Sequence, residues 1–292
     1  MMLKEPLDQL FEYVAQNIPS EEIMIAKKEY QTTTGETYED DKSYNTRMAL
    51  FLEWYLLDYY GPGKDKTVLE SIIEENPTSW IQGAVEVYKA ISNNIQALFE
   101  VKKIRENMVT VLDLFTDEKY QVYEDDSKLV FRKNDLFQGR IVFHQGKYYF
   151  TGYYSFHPSK TERFIKGETK KIYLAQNIWL KELKVLEKSL AKLQKSNLKN
   201  SNLIEKVQVK IGKTDIEAKL EVLNKDFQIL KTTDSNIKEN IQGVEREIAQ
   251  LKHDKLKVEK CKLISDLINK LAYMNLKWER SRQIELLDIY KN

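Results

Sequence analysis

The chain has 292 residues, 42% hydrophobic and 31% charged, with one cysteine and a formal net charge of +1. A single cysteine, Cys261, excludes an intramolecular disulfide framework and any multi-cysteine zinc site, and the length accommodates two domains. Charge is unevenly spread: residues 1–160 hold 18 Lys and Arg against 26 Asp and Glu, net −8, and residues 161–292 hold 28 against 19, net +9.

Met1 to Ile18 carries Lys4, Glu5, Asp8 and Glu12 among its apolar residues, unlike the apolar core of a signal peptide. No window reaches the roughly 18 uncharged apolar residues of a membrane span, so a cytoplasmic protein is expected. Pro6 suits the first turn of a helix, and Leu7, Leu10, Phe11 and Val14 mark its apolar face. Ser20 is a natural N-cap for a second helix, Glu21 to Tyr30. Gln31 to Lys42 reads as a loop whose acidic end, Glu39, Asp40 and Asp41, is solvated. Ser43 to Tyr60 is so apolar that neighbours must bury it on several sides, and Gly61-Pro62-Gly63 stops it. A helix over Thr67 to Glu75 follows. Pro77, Thr78 and Ser79 then restart the chain into Trp80 to Gln96, completing a helical subdomain over residues 1–96.

Near Leu98 the apolar period changes from 3.6 to 2. Leu98–Val101, Met108–Leu112, Tyr120–Tyr123, Lys128–Phe131, Gly139–Phe143 and Tyr148–Tyr153 are short β-branched or aromatic runs separated by turn residues. So short a set of strands removes its edges by closing or curling, which predicts a small antiparallel β-barrel or curled sheet over residues 97–158. A basic connector, residues 159–177, carries Lys160, Arg163, Lys166, Lys170 and Lys171.

Residues 178–292 read as coiled-coil helices. Apolar residues alternate steps of four and three through Trp179, Leu183, Leu186, Leu190 and Leu193. The pattern recurs through Ile216, Leu220, Leu223, Phe227 and Leu230, then Ile237, Ile241, Val244, Ile248 and Leu251. Three asparagines and two serines in Ser196 to Asn202 compete for backbone hydrogen bonds and predict a helix break there. Thr232 to Asn236 reads as a second turn or a solvated flaw. A third seam, Ile264, Leu267, Leu271, Met274 and Trp278, is out of register with the second and needs a stutter or a bend. Cys261, among apolar neighbours, reads as a packed thiol. The expected fold is α+β: an N-terminal helical subdomain packed with the small barrel or curled sheet, followed by a long antiparallel coiled-coil hairpin or three-helix bundle.

Catalytic signatures are sparse. His144, His157 and His253 are scattered, with no His-x-x-x-His pair, so no metal or cofactor is expected. Gly61 and Gly63 lack the preceding strand and spacing of a phosphate loop. The ten residues of the second seam, Ile216 to Leu251, are therefore the candidate partner-binding set, engaging another protein or a second copy. The leading expectation is a non-enzymatic interaction or scaffold protein. The alternative is a nucleic-acid-associated protein, with Arg140, Lys147, Lys160, Arg163, Lys166, Lys170 and Lys171 contacting phosphates and sheet tyrosines stacking on bases.

Residues 48–152 resemble a segment of uncharacterised bacterial proteins, some of which end in a SEC-C metal-binding motif. Phe51, Trp54 and Asp58, Lys66-Thr67, Leu69-Glu70, Leu98 to Val101, Asp113 to Thr116, Asn134-Asp135 and Gly139-Arg140 carry the resemblance. The cysteine and histidine ligands of that motif are absent here. The resemblance implies no metal and no reaction, and it implies that the helices before Leu98 and the sheet after it form one unit.

Overall fold

The computed structural model describes residues 3–75, 84–281 and 283–291. The restart at Pro77, Thr78 and Ser79, with the start of its helix at Trp80, lies outside them. The fold is α+β, and the chain divides into two compact units, Met1–Tyr173 with Leu263–Asn292, and Leu174–Lys262. The boundary therefore differs from the 178–292 segment, because the last helical stretch belongs to the first unit.

The first unit opens with α1 (Lys4–Asn17), α2 (Ser20–Thr34), α3 (Tyr44–Leu57), α4 (Val68–Glu75) and α5 (Ala84–Ser92). Their apolar faces share a core of Leu7, Leu10, Val14, Phe51, Tyr55 and Leu56. The strands β1 (Ile95–Arg105), β2 (Met108–Asp113), β3 (Lys119–Tyr123), β4 (Leu136–His144) and β5 (Lys147–Phe150) follow. Strand β1 pairs with both β2 and β4, and β3 pairs with β5, so the order β1-β2-β3-β5-β4 closes into a five-stranded barrel. A sixth strand, β6 (Ser155–His157), adds to β4.

Two details depart from the expected meander. The β3–β5 pair, Val122 with Tyr148 and Tyr123 with Tyr149, is parallel. Lys128 to Phe131 is not a strand, because Ser127–Val130 forms a short helix, α6. A barrel of this strand order, with β3 and β5 parallel and a helix between β3 and β4, has the topology of an OB-fold. Phe131, just after α6, fills the barrel interior, with its ring 5.1 Å from Phe137 and 5.2 Å from Phe150.

Strand β4 is buried along most of its length because both of its faces are covered. Phe137 and Ile141 point into the barrel core, while Val142 joins the helical core. Helix α7 (Glu162–Ile211) begins where the basic connector was expected and places Ile165 and Ile172 in the barrel core. Helix α9 (Lys260–Arg280) adds Ile264, Leu267, Leu271 and Met274 to the same core. Those four residues of the third seam thus pack on the barrel instead of forming a coiled coil. Gly35, at φ +87°, ends α2 where a Cβ would lie 2.8 Å from the Tyr273 ring, so a side chain there would push α9 away. A short C-terminal helix, α10 (Leu286–Ile289), completes the unit.

The second unit consists of the rest of α7, a turn at residues 212–216, α8 (Glu217–Leu251) and a π-helical segment, Lys252–Glu259. Helix α7 continues through Ser196 to Asn202 without a break. One of its three asparagines there is used between the helices: Asn200 is buried and its Nδ2 donates to the Leu230 carbonyl at 3.0 Å, whereas Asn202 is exposed. Thr232 to Asn236 is likewise helical. The π segment, with its wider turn, lies between Leu251 and Ile264 in the chain. Cys261, expected as a packed thiol, is exposed, at the start of α9 and before its first buried residue, Ile264.

Candidate interaction surfaces

In the second unit, buried or half-buried residues recur at alternating steps of four and three along α7, through Trp179, Leu183, Leu186, Leu190 and Leu193. The same spacing runs along α8 through Leu220, Leu223, Phe227, Leu230, Ile237, Ile241, Val244, Ile248 and Leu251, whereas Ile216, in the turn, is exposed. Three contacts orient the helices. Asn200 reaches Leu230, Lys252 pairs with Glu187 at 3.3 Å, and the Lys255 ammonium lies 5.9 Å from the Trp179 ring centroid. Residues early in α7 meet residues late in the following helix, so the two run antiparallel. Asn197, Asn200 and Asp234 continue the same spacing as a polar layer, with Asp234 paired to Lys238 at 2.7 Å. The four-three spacing of Asn197 and Asn200 from Leu193 is the signal that would have marked them as seam residues instead of a helix break.

The seven expected phosphate contacts do not form one surface. Arg140 is buried on the helix-covered face of β4, where its guanidinium binds Asp58, donates to Asn94 Oδ1 at 2.7 Å and lies 3.8 Å from Glu53. Such a group cannot reach a phosphate, and strand alternation next to the helical layer is the reason. Lys166 is engaged by Glu162 at 2.6 Å and Glu100 at 2.8 Å. Lys147 sits over the Tyr123 ring, 4.4 Å from its centroid. Lys170 is exposed on α7. Lys160, Arg163 and Lys171 do come together, lining a groove of about 460 Å³ with Phe164, Gly167 and Leu287.

The sheet aromatics divide between two roles. Phe150 and Tyr154 belong to the barrel interior, their rings 5.3 Å apart. Burial, then the Glu124 carboxylate that accepts from its hydroxyl at 2.8 Å, raises the Tyr154 pKa. Tyr123 lies instead on the outer face of β2 and β3, where registered pairs place Met108, Thr110 and Leu112 beside Tyr123, Gln121 and Lys119. The next residue pair on that face joins Lys103 of β1 to Thr110. This outer face went unmarked in the sequence because only strand pairing assembles it.

The buried charges of the first unit hold its layers together. Glu53, on α3, is buried, and among the described residues neither carboxylate oxygen has a partner at hydrogen-bond distance. Burial pushes its pKa up to about 7, against the pull of Arg140. His157 is also buried, and burial, reinforced by Arg47, lowers its pKa to about 4. Among the described residues no cluster of three or more His, Cys, Asp or Glu side chains could hold a metal ion, and no helix is long and apolar enough to cross a membrane.

No curated protein and no solved structure matches the chain. A family model matches residues 2–209, from the first helix almost to the end of α7. The segment that suggested SEC-C-terminated proteins, residues 48–152, lies within that span, and the model names no SEC-C motif. The chain belongs to DUF7986, a family of unknown function.

Proposed function

We propose that the chain is a non-enzymatic, cytoplasmic interaction or scaffold protein whose partner-binding element is an antiparallel coiled-coil hairpin built by α7 and α8. The observation that carries this reading is an excess of apolar surface. The two seams are satisfied within the hairpin, yet Ile178, Val185, Leu203, Val222 and Ile229 stay 49% to 67% exposed. Exposed apolar residues in such number along one pair of helices mark an association surface. The polar layer of Asn197, Asn200 and Asp234 fits a coiled coil as well, since buried polar seam residues fix register at a cost in stability. Affinity capture with the full-length chain tests the reading: Val222→Lys/Ile229→Lys lowers retention of bound chains at least tenfold. Retention that is absent, or equal in the two proteins, contradicts it.

A second reading, association with single-stranded nucleic acid, is favoured by the outer face of β2 and β3, the face on which OB-fold barrels take oligonucleotides. Tyr123 supplies a ring for stacking, with Lys147, Lys119 and Lys103 around it. Retention of a single-stranded oligonucleotide that falls steeply with salt and is lost in Tyr123→Ala supports this reading; salt-independent or absent retention removes it.

A further inference from the structure

We propose that the hairpin's partner is a second copy of this chain, docked on the flank that carries Leu203, Val222 and Ile229, with α7 of each copy lying against α8 of the other. This rests on the reading of the hairpin as an interaction element and names its occupant. The four-three spacing defines two flanks beside the seam. One carries the Glu187–Lys252 pair, and along α8 the row at steps of seven before Lys252 is Glu245, Lys238, Lys231, Asn224 and Glu217. On the opposite flank the outer α8 row at steps of seven is Val222, Ile229, Asn236, Gly243 and Gln250, without a charge, beside an inner row that holds Lys219, Asp226 and Glu247. The Asn200–Leu230 bond sets Leu203 of α7 within a turn of Ile229, which completes an apolar patch.

Gly243 is a second, independent mark on that row. A Cβ there would meet nothing within 4 Å, so its own chain offers no packing reason for glycine. Mid-helix glycine costs about 1 kcal/mol relative to alanine, and the usual return for that cost is close approach of another backbone. From Val222 to Gly243 the row runs ~30 Å at 1.5 Å per residue. Two helices of that length present a face suited to an interface of roughly 800 Å² per partner.

Charge selects a second copy. Beside the patch α7 carries Lys192, Lys199 and Lys206, whereas α8 carries Asp226 and Glu247, with Lys219 near the turn as the exception. Among the described residues none of Lys199, Lys206, Asp226 and Glu247 has an ion-pair partner in its own chain. A two-fold axis through the patch sets the basic side of one hairpin against the acidic side of the other, so a single surface complements itself.

Light scattering on the full-length protein tests this. The wild type is expected at twice 34.5 kDa, and Val222→Lys/Ile229→Lys at half that mass with unchanged helical circular dichroism. Lys199→Glu/Lys206→Glu and Asp226→Lys/Glu247→Lys are each expected to be monomeric alone and to restore the double mass when mixed. A monomeric wild type up to ~100 µM, far above the Kd of a specific interface, overturns the inference, as does a mixture that stays monomeric. If the wild type is monomeric but still captures another chain that Val222→Lys/Ile229→Lys loses, the second copy is wrong and the interaction reading stands. If neither occurs, both fall.

Discussion

Arg47 donates from both Nη1 and Nη2 to the carbonyl of Ala272 at 3.2 Å, joining α3 to α9 across 225 positions of sequence. Its Nε donates to Ser43 Oγ at 2.8 Å, and Ser43 in turn donates to Glu279 through its hydroxyl at 2.5 Å and its backbone N–H at 3.0 Å. The next residue, Arg280, grips Asp41 at 2.5 Å. Of the acidic run read as a solvated loop, Asp41 therefore anchors the end of α9, while Glu39 and Asp40 are exposed.

Replacing Arg47 with leucine leaves Ser43 and Glu279 without their cation and a buried site without its donors. The loss is expected at about 2–4 kcal/mol, read as a lower urea midpoint of the full chain. Arg47→Lys recovers only part, because one ammonium cannot reproduce the planar fork.

Glu53 gives a pH signature. Its folded pKa, about 7, lies above the ordinary carboxyl value of 4.5, so the folded state binds more protons between those values and stability falls as pH rises from about 4.5 to about 7. His157 acts in the opposite sense: its folded pKa of about 4 lies below 6.5, so its contribution is lost as pH falls through that window. The two nearly offset each other in the wild type. Glu53→Gln removes the first slope, and stability is expected to rise by ~3 kcal/mol at pH 8 but to decline more steeply on acidification. Urea titrations at pH 5 and pH 8 separate the two; equal changes at both pH values would show that Glu53 is ionised throughout.

Removing Asp58 strands the buried Arg140 guanidinium beside a carboxyl that burial keeps neutral at low pH. Asp58→Ala is expected to cost about 3–5 kcal/mol, whereas Asp58→Ala combined with Arg140→Met recovers most of it. Thermal unfolding of the three variants measures the coupling.

In the hairpin, Asn200→Leu is expected to raise stability by about 1 kcal/mol while weakening the register that a single polar seam residue enforces. Asn200→Asp places a carboxylate beside Asp234 and lowers stability at pH 7, with recovery on acidification as the acids protonate. Circular dichroism melts at pH 7 and pH 4 report both effects.

Periodic features were legible in the sequence, and three-dimensional neighbours were not. The period of two after Leu98 marks the strands, and Trp179 to Leu193 and Leu220 to Leu251 mark the seams, because each is repeated locally. Asn200 misled for the reason that makes it informative: its side chain competes for local backbone in isolation but donates to Leu230 of α8 here. Arg140 reads as a free cation until β4 is known to carry helices on one face and the barrel core on the other. The Ile264 seam looks like more coiled coil until the barrel supplies its partner. The parallel closure of β3 on β5 joins residues 26 positions apart, which no local pattern announces.

Zero-length carbodiimide cross-linking of mixed heavy- and light-isotope full-length protein tests most directly whether the hairpin is the associating element. Links between copies are predicted to join Lys199 or Lys206 to Asp226 or Glu247. Inter-copy links confined to residues 3–173, or none at concentrations where the protein is associated, would contradict the account.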